Sequence, residues 1–228
     1  MSEVSRSSRL TLRRLLLPVL LIGAAGGCPS WFGHLPPREL YRLSLPDSSA
    51  VGAPVNATDG STPPLTGTLA VTEYATPGIY GDPAIVFRIN DNEYGSYSSS
   101  NRDREWAVPL GDQLGVLTER VLARTPLTTA RAVFDPPSRR AQTYIWRGTV
   151  REFEEVDRGT EVHAAVRIDL RIVRAEDDSI LWSGTSRLER PASGTSMAAI
   201  VQTLSALADE VVADLATRAR RELSTRRP

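Results

Sequence analysis

The chain has 228 residues, 41% of them hydrophobic, with 27 basic and 27 acidic side chains. That is enough apolar material for one packed domain beside a leader, and it excludes a globally disordered chain. Arg6, Arg9, Arg13 and Arg14 against Glu3 set the first 28 residues at +3 and the remainder at −3. A mildly acidic remainder argues against a nucleic-acid partner, because affinity for phosphate comes from clustered positive charge.

Leu15 to Gly27 (LLLPVLLIGAAGG) follows the arginines as a run of 13 residues. A membrane-spanning helix needs about 20. A basic start, a short apolar run and a small-residue end define a secretory signal peptide. The run stops at Gly26-Gly27-Cys28, and Cys28 is the single cysteine of the chain, so no internal disulfide is possible. Small residues directly before a Cys resemble the lipobox of bacterial lipoproteins, although Ala25 stands where Leu is typical. In such proteins the thiol takes diacylglycerol and the leader is cut before it. The expected anchor is therefore Cys28, carrying covalent lipid, and no other cofactor is expected. Pro29 rather than Asp follows the Cys, which favours the outer membrane over inner-membrane retention.

Pro29 to Arg38 reads as a tether that spans about 35 Å when fully extended. Trp31 and Phe32 either sit at the membrane interface or pack on the domain. Leu40 to Leu45 reads as a first strand. Pro46 to Thr66 is rich in Pro, Ser, Thr and Gly and reads as a flexible loop. Gly67 to Tyr74 and Ala84 to Ile89 read as strands, separated by a loop through Pro77-Gly78 and Tyr80-Gly81-Asp82-Pro83. Pro109 opens a helix to Arg124, with Leu110, Leu114, Leu117, Val121 and Leu122 on one stripe, and Pro126 stops it. Ala130 to Phe134 is a brief strand.

Thr143 to Arg190 reads as an antiparallel meander. In its middle strand Val162, Ala164, Val166, Ile168, Leu170 and Ile172 face one way. Glu161, His163, Arg167, Asp169 and Arg171 face the other, with Ala165 and Val173 as the exceptions. That period of two predicts one dry and one wet face. Asp157-Arg158-Gly159 and Glu176-Asp177-Asp178 read as hairpin turns, since the acids lack calcium-loop spacing. Ser196 to Leu223 is a long helix whose apolar stripe is Ile200, Val201, Leu204, Leu207, Ala208, Val211, Val212 and Leu215. The expected fold class is α+β: an antiparallel or mixed sheet with a C-terminal meander, packed by two helices, the last one long. The expected organisation is a leader over 1–27, a tether over 28–39, one domain over 40–223 and a basic tail over 224–228.

No catalytic constellation emerges. Only His34 and His163 exist as histidines, which disfavours a Ser-His-Asp triad or a zinc site. Glu152 and Glu154 share a strand face, as a glycosidase pair would. Arg147, Arg151, Arg158 and Arg167 are placed to neutralise such carboxylates across strands, which reads as a surface charge ladder. Tyr80, Gly81, Asp82, Tyr94, Tyr97 and Trp106 are the candidate partner-binding residues. Loops of Gly, Tyr and Trp between regular elements are typical interfaces. The same aromatic rings could equally pack the core.

Several stretches carry a family likeness. They are Tyr41-Arg42-Leu43, Leu69-Ala70-Val71, Pro77 to Asp82, Glu93 to Tyr97, Trp106 to Pro109, Gly148 to Phe153 and Leu181 to Gly184. In this order, across Tyr41 to Leu215, the sequence resembles the ABC-type transport auxiliary lipoproteins (paraquat-inducible protein C-like lipoproteins). The resemblance implies a non-enzymatic periplasmic domain tethered to the outer membrane. Its implied partners are an MCE-domain protein that bridges the envelope, an inner-membrane permease and copies of itself in a homo-oligomeric ring. The implied cargo is phospholipid or another hydrophobic compound. The alternatives are a general envelope-assembly lipoprotein and, less favoured, a periplasmic hydrolase.

Overall fold

The computed structural model describes residues 38–45, 62–90, 92–98, 103–138 and 141–226. The expected leader, Cys28, the tether through Pro37 and most of the 46–66 loop lie outside the described residues. The strands are β1 (Glu39–Tyr41), β2 (Leu69–Val71), β3 (Val86–Ile89), β4 (Glu93–Ser96), β5 (Arg104–Trp106), β6 (Val133–Phe134), β7 (Tyr144–Asp157), β8 (Val162–Arg174) and β9 (Ile180–Pro191). The helices are α1 (Leu110–Arg124) and α2 (Met197–Thr225). This is the expected α+β class with a mixed sheet.

Strand β7 organises the sheet. On one edge it pairs antiparallel with β8, which pairs antiparallel with β9. On the other edge its first residues run parallel to β2 and its last run parallel to β3. Strand β6 extends β2, and β4 extends β3 as a hairpin. A parallel β1–β5 ribbon stands apart and is stitched to the start of β3 by a bridge between Ala84 and Glu105.

Both helices bury the stripes read from the sequence. Ser196 caps α2, its Oγ accepting the Ala199 N–H at 3.2 Å. All five stripe residues of α1 and all eight of α2 are buried, which removes apolar surface at about 25 cal/mol per Å². Helix α2 covers β8 and β9, while α1 covers β2 and β6 and leans on α2. Arg124 and Asp209 join the two helices at 2.6 Å. The edge strand β9 is not left bare: Arg218 and Arg226, from α2 and its end, donate to the carbonyls of Thr185 and Leu181 at 2.8 and 3.0 Å. Such side-chain capping blocks strand-to-strand addition at an edge.

Several short elements differ from expectation. The first strand ends at Tyr41, because Arg42–Leu45 leaves the sheet to cross the helices. There the Leu43 N–H donates to Gln113 Oε1 at 2.7 Å and the Ser44 N–H to Ser205 Oγ at 2.9 Å. Side chains thus supply acceptors that a sheet would otherwise provide. The strands expected over 67–74 and 130–134 shrink to Leu69–Val71 and Val133–Phe134. The region between Glu93 and Trp106 contains β4 and β5.

One irregularity positions the site. The register between β7 and β8 shifts between Val150 and Glu152. This bulge at Arg151 reverses the alternation of β7. Before it Trp146 and Val150 face the helices; after it Phe153 does. Glu152 and Glu154 consequently lie on the outer face, opposite Arg167 and Ala165 of β8, and Glu155 lies on the inner face opposite Ala164.

Candidate functional site

Two buried carboxylates occupy neighbouring positions on opposite faces of β7. Glu154 is fully buried on the outer face. It accepts from Arg88 Nε at 2.7 Å and from the Tyr80 hydroxyl. Arg88 comes from β3, where the register sets it beside Val156 and across from Tyr94 of β4. The Arg88 guanidinium carbon lies 5.9 Å from the centre of the Tyr94 ring, within cation–π range. Tyr80 comes from the short 3-10 turn Gly78–Gly81, which closes over the outer face. Gly78 has φ +66, a left-handed conformation that favours glycine.

Glu155 faces inward and accepts the Tyr97 hydroxyl at 2.8 Å. Arg104 of β5 stacks its guanidinium 4.6 Å from the Tyr97 ring centre. Arg104 Nε lies 3.4 Å from Glu39 Oε2, which also accepts the Tyr41 hydroxyl at 2.8 Å. The chain Tyr41–Glu39–Arg104–Tyr97–Glu155 therefore ties the β1–β5 ribbon to β7. Phe87 packs on Tyr97 at 4.9 Å between ring centres. Gly95 makes room for it, since a Cβ there would collide with the Phe87 ring.

Burial sets the electrostatics. Both glutamates are held above the usual carboxylate range by loss of solvent, against the opposing pull of their tyrosines and of Arg88 and Arg104. Tyr80 and Tyr97 are pushed up by burial first and by the adjacent glutamate second, so both stay neutral donors.

The structure separates the six candidate partner-binding residues. Trp106 is buried and packs edge-on against Phe153 at 5.7 Å. Tyr80 and Tyr97 are half-buried, with rings against the core and hydroxyls spent on carboxylates. Gly81 and Asp82 are exposed, and Tyr94 is 51% exposed. Tyr80, Gly81, Asp82 and Tyr94 thus share the outer-face corner over Glu154 and Arg88, while Tyr97 and Trp106 belong to the inner face. Sequence reasoning missed Arg88 and Arg104 as organisers of this corner. The available clue was the adjacent pair Glu154-Glu155: on a strand, one of two neighbours must point inward and needs a partner.

The remaining outer face carries the expected charge ladder, with partners reassigned. Arg151 pairs with Asp169 at 2.7 Å, Arg158 with Glu189 at 2.6 Å and Arg147 with Asp178 at 2.8 Å. Arg187 of β9, absent from the sequence reading, binds Glu152 at 2.8 Å, while Arg167 stays 3.9 Å from it. His163 lies beside Glu161 and Glu189 at 3.2 and 3.6 Å. The acidic turns are turns: Asp157 Oδ1 accepts the Gly159 N–H and Asp177 Oδ1 the Ser179 N–H. Among the described residues no cluster of His, Cys, Asp or Glu has the arrangement of a metal site. Glu154, having no exposed surface, cannot meet a sugar as the partner of Glu152. Among the described residues no helix is long and apolar enough to cross a membrane.

The domain is thus a helix-backed mixed sheet with a tyrosine-lined corner over a sealed ion pair. The model of the ABC-type transport auxiliary lipoprotein component matches residues 49–216, and the chain belongs to that family. Protein XCC0632 from Xanthomonas campestris has a similar crystal structure, with 18% identity and a TM-score of 0.61 over 81% of this chain and 95% of that one. A second crystal structure, described only as an uncharacterized protein, has 16% identity and a TM-score of 0.58 over 79% and 97% of the two chains. No curated protein matches the sequence at a significant level. Membership makes this a membrane-associated envelope protein of a transport auxiliary family, which is not a known enzyme family.

Proposed function

We propose that this chain is the outer-membrane-anchored auxiliary subunit of a system that moves phospholipid or another hydrophobic compound across the envelope. Family membership over residues 49–216 carries the reading. Cys28 holds the lipid anchor, and the tether positions the domain in the periplasm. The domain performs no catalysis. It docks an MCE-domain protein that spans the envelope and works with an inner-membrane permease. The docking surface is the outer-face corner of Gly81, Asp82 and Tyr94, with Tyr80 bracing it from below. Support comes from exposure: Tyr94 is the one exposed aromatic ring of the candidate set, and aromatic rings at interfaces give large contact area at low entropic cost. Copies of the chain assemble as a ring around the partner.

The test has two parts. Cys28→Ser should abolish labelling by radioactive palmitate; undiminished labelling moves the anchor elsewhere. The lipidated wild-type chain, purified from detergent-solubilised membranes, should bring down an MCE-domain protein. Absence of any MCE protein after cross-linking would favour the envelope-assembly alternative.

A further inference from the structure

On the outer face of β7 and β8, Arg147 and Arg171 stand directly opposite each other in register. Facing strand residues in an antiparallel pair have Cα atoms about 4.5 to 5.5 Å apart, and like charges there repel. The Arg147 side chain has Asp178 as a partner, whereas the Arg171 side chain has no hydrogen bond or ion pair to any described residue. The two arginines line a cleft of about 410 Å³, with Thr72, Glu73, Thr149, Arg151 and Asp169 among its other walls. Its far wall is the segment after β2, held against β7 by the Thr72 N–H and Oγ1, each 3.1 Å from the Trp146 carbonyl. Asp169 does not neutralise the arginine pair. It is already bound by Arg151 and Thr185, each at 2.7 Å. Burial acts to raise its pKa, but those two bonds and the charges of Arg151 and Arg167 together lower it and keep the carboxylate ionised. Glu73 is the remaining acid in the wall, and it too has no hydrogen bond or ion pair among the described residues.

The geometry points to an oxyanion-binding site in this cleft that takes a phosphate group between Arg147 and Arg171. A guanidinium presents paired N–H donors that fit phosphate oxygens bidentately. A tetrahedral anion between two facing guanidinia turns their repulsion into two charge-assisted contacts. Thr149 offers a hydroxyl beside them. The phosphate group belongs either to free phosphate or to a phospholipid headgroup. The site stands apart from the Tyr94 corner, and its test does not depend on the transport reading.

The experiment is calorimetric titration of the full-length lipidated chain in a non-ionic detergent at low salt. One arm uses inorganic phosphate and the other dihexanoyl phosphatidylglycerol below its micelle concentration. Saturable binding is expected in at least one arm. Arg171→Gln and Arg147→Gln should each weaken it roughly tenfold, the effect of losing about 1.4 kcal/mol. Glu73→Gln should tighten it by removing a competing charge. Arg187→Gln, an arginine on the same face already bound to Glu152, should leave it unchanged. Tighter binding of the phospholipid, displaced by phosphate, identifies a headgroup site; equal or tighter binding of phosphate identifies a free-anion site. Absence of saturable binding in both arms overturns the proposal. So does equal loss in Arg187→Gln and Arg171→Gln, which would mean diffuse charge attraction. Arg171-dependent binding of a polyglutamate peptide that phosphate cannot displace also overturns it, in favour of an acidic protein partner.

Discussion

Glu152 and Glu154 lie two residues apart on the same face of β7, yet they meet opposite environments. Glu152 sits in the open ladder, between Arg187 and Arg167, where water and salt reach all three groups. Glu154 is sealed beneath the 78–81 turn with Arg88 and Tyr80. The chemistry is the same, a carboxylate with an arginine, but its energetic weight differs. An exposed pair contributes about 0 to 1 kcal/mol, because water competes for both partners. A buried pair contributes little net either, yet breaking it strands an uncompensated charge. The ladder therefore decorates a face, whereas the sealed pair fixes how the turn, β3 and β7 fit together. Exposed Tyr94 is positioned by that fixed corner.

The largest effect should come from Arg88→Ala. It leaves Glu154 buried with only Tyr80 and should cost about 3 to 5 kcal/mol in urea unfolding at neutral pH. The cost should shrink in acid, where protonated Glu154 no longer needs a cation. A cost below about 1 kcal/mol would make the two environments equivalent.

The pH dependence should divide the two sets by sign. Glu154 and Glu155 have raised folded pKa values. Their favourable contribution is complete below the unfolded pKa and is lost as pH rises through the folded one. Glu189 and Asp169 of the ladder have lowered values, against an opposing push from burial. Their contribution is present above the unfolded pKa and is lost as pH falls through the folded one. Melting curves from about pH 2.5 to about pH 7 span the lowered, the usual and the raised carboxylate ranges. Glu154→Gln should gain on the wild type as pH rises, while Glu189→Gln should fall behind it. Parallel behaviour of the two variants would refute the division.

The smallest effect should come from the open ladder. Glu152→Gln should change stability by less than about 1 kcal/mol, and moderate salt should erase the change. A large, salt-resistant loss would mean that Glu152 is sealed as well.

What the sequence revealed follows the length of each pattern. Strands β7 to β9 and helix α2 are long enough for periodicity to expose them, and every residue named for the inner face of β8 is buried except half-buried Val162. Strands β4 and β5 have four and three residues and sit among Gly, Ser and Tyr, so no period could accumulate. The bulge at Arg151 was also invisible, because a register shift depends on the partner strand. Yet it sends Glu154 outward and Glu155 inward. The outer face is wet only in its middle. Ala165 lies opposite sealed Glu154, and Val173 lies opposite Ile145, which itself pairs with Ala70; all five are buried. Ala165 and Val173, which interrupt the polar alternation, mark where that face is covered. Tyr80 and Tyr97 could not be divided between core and interface by type alone, since each does both: ring inward, hydroxyl on a carboxylate.

The most direct test of the account is capture of the proposed MCE-domain partner by the full-length Tyr94→Ala chain, purified from detergent-solubilised membranes beside wild type and Arg187→Ala. The Tyr94 side chain makes no hydrogen bond among the described residues, so the variant should melt within a few degrees of wild type. Capture should fall about tenfold, the loss expected for an interface aromatic worth about 1.4 kcal/mol, and Arg187→Ala should capture as wild type does. Undiminished capture by a well-folded Tyr94→Ala chain would contradict the assignment of this corner as the docking surface.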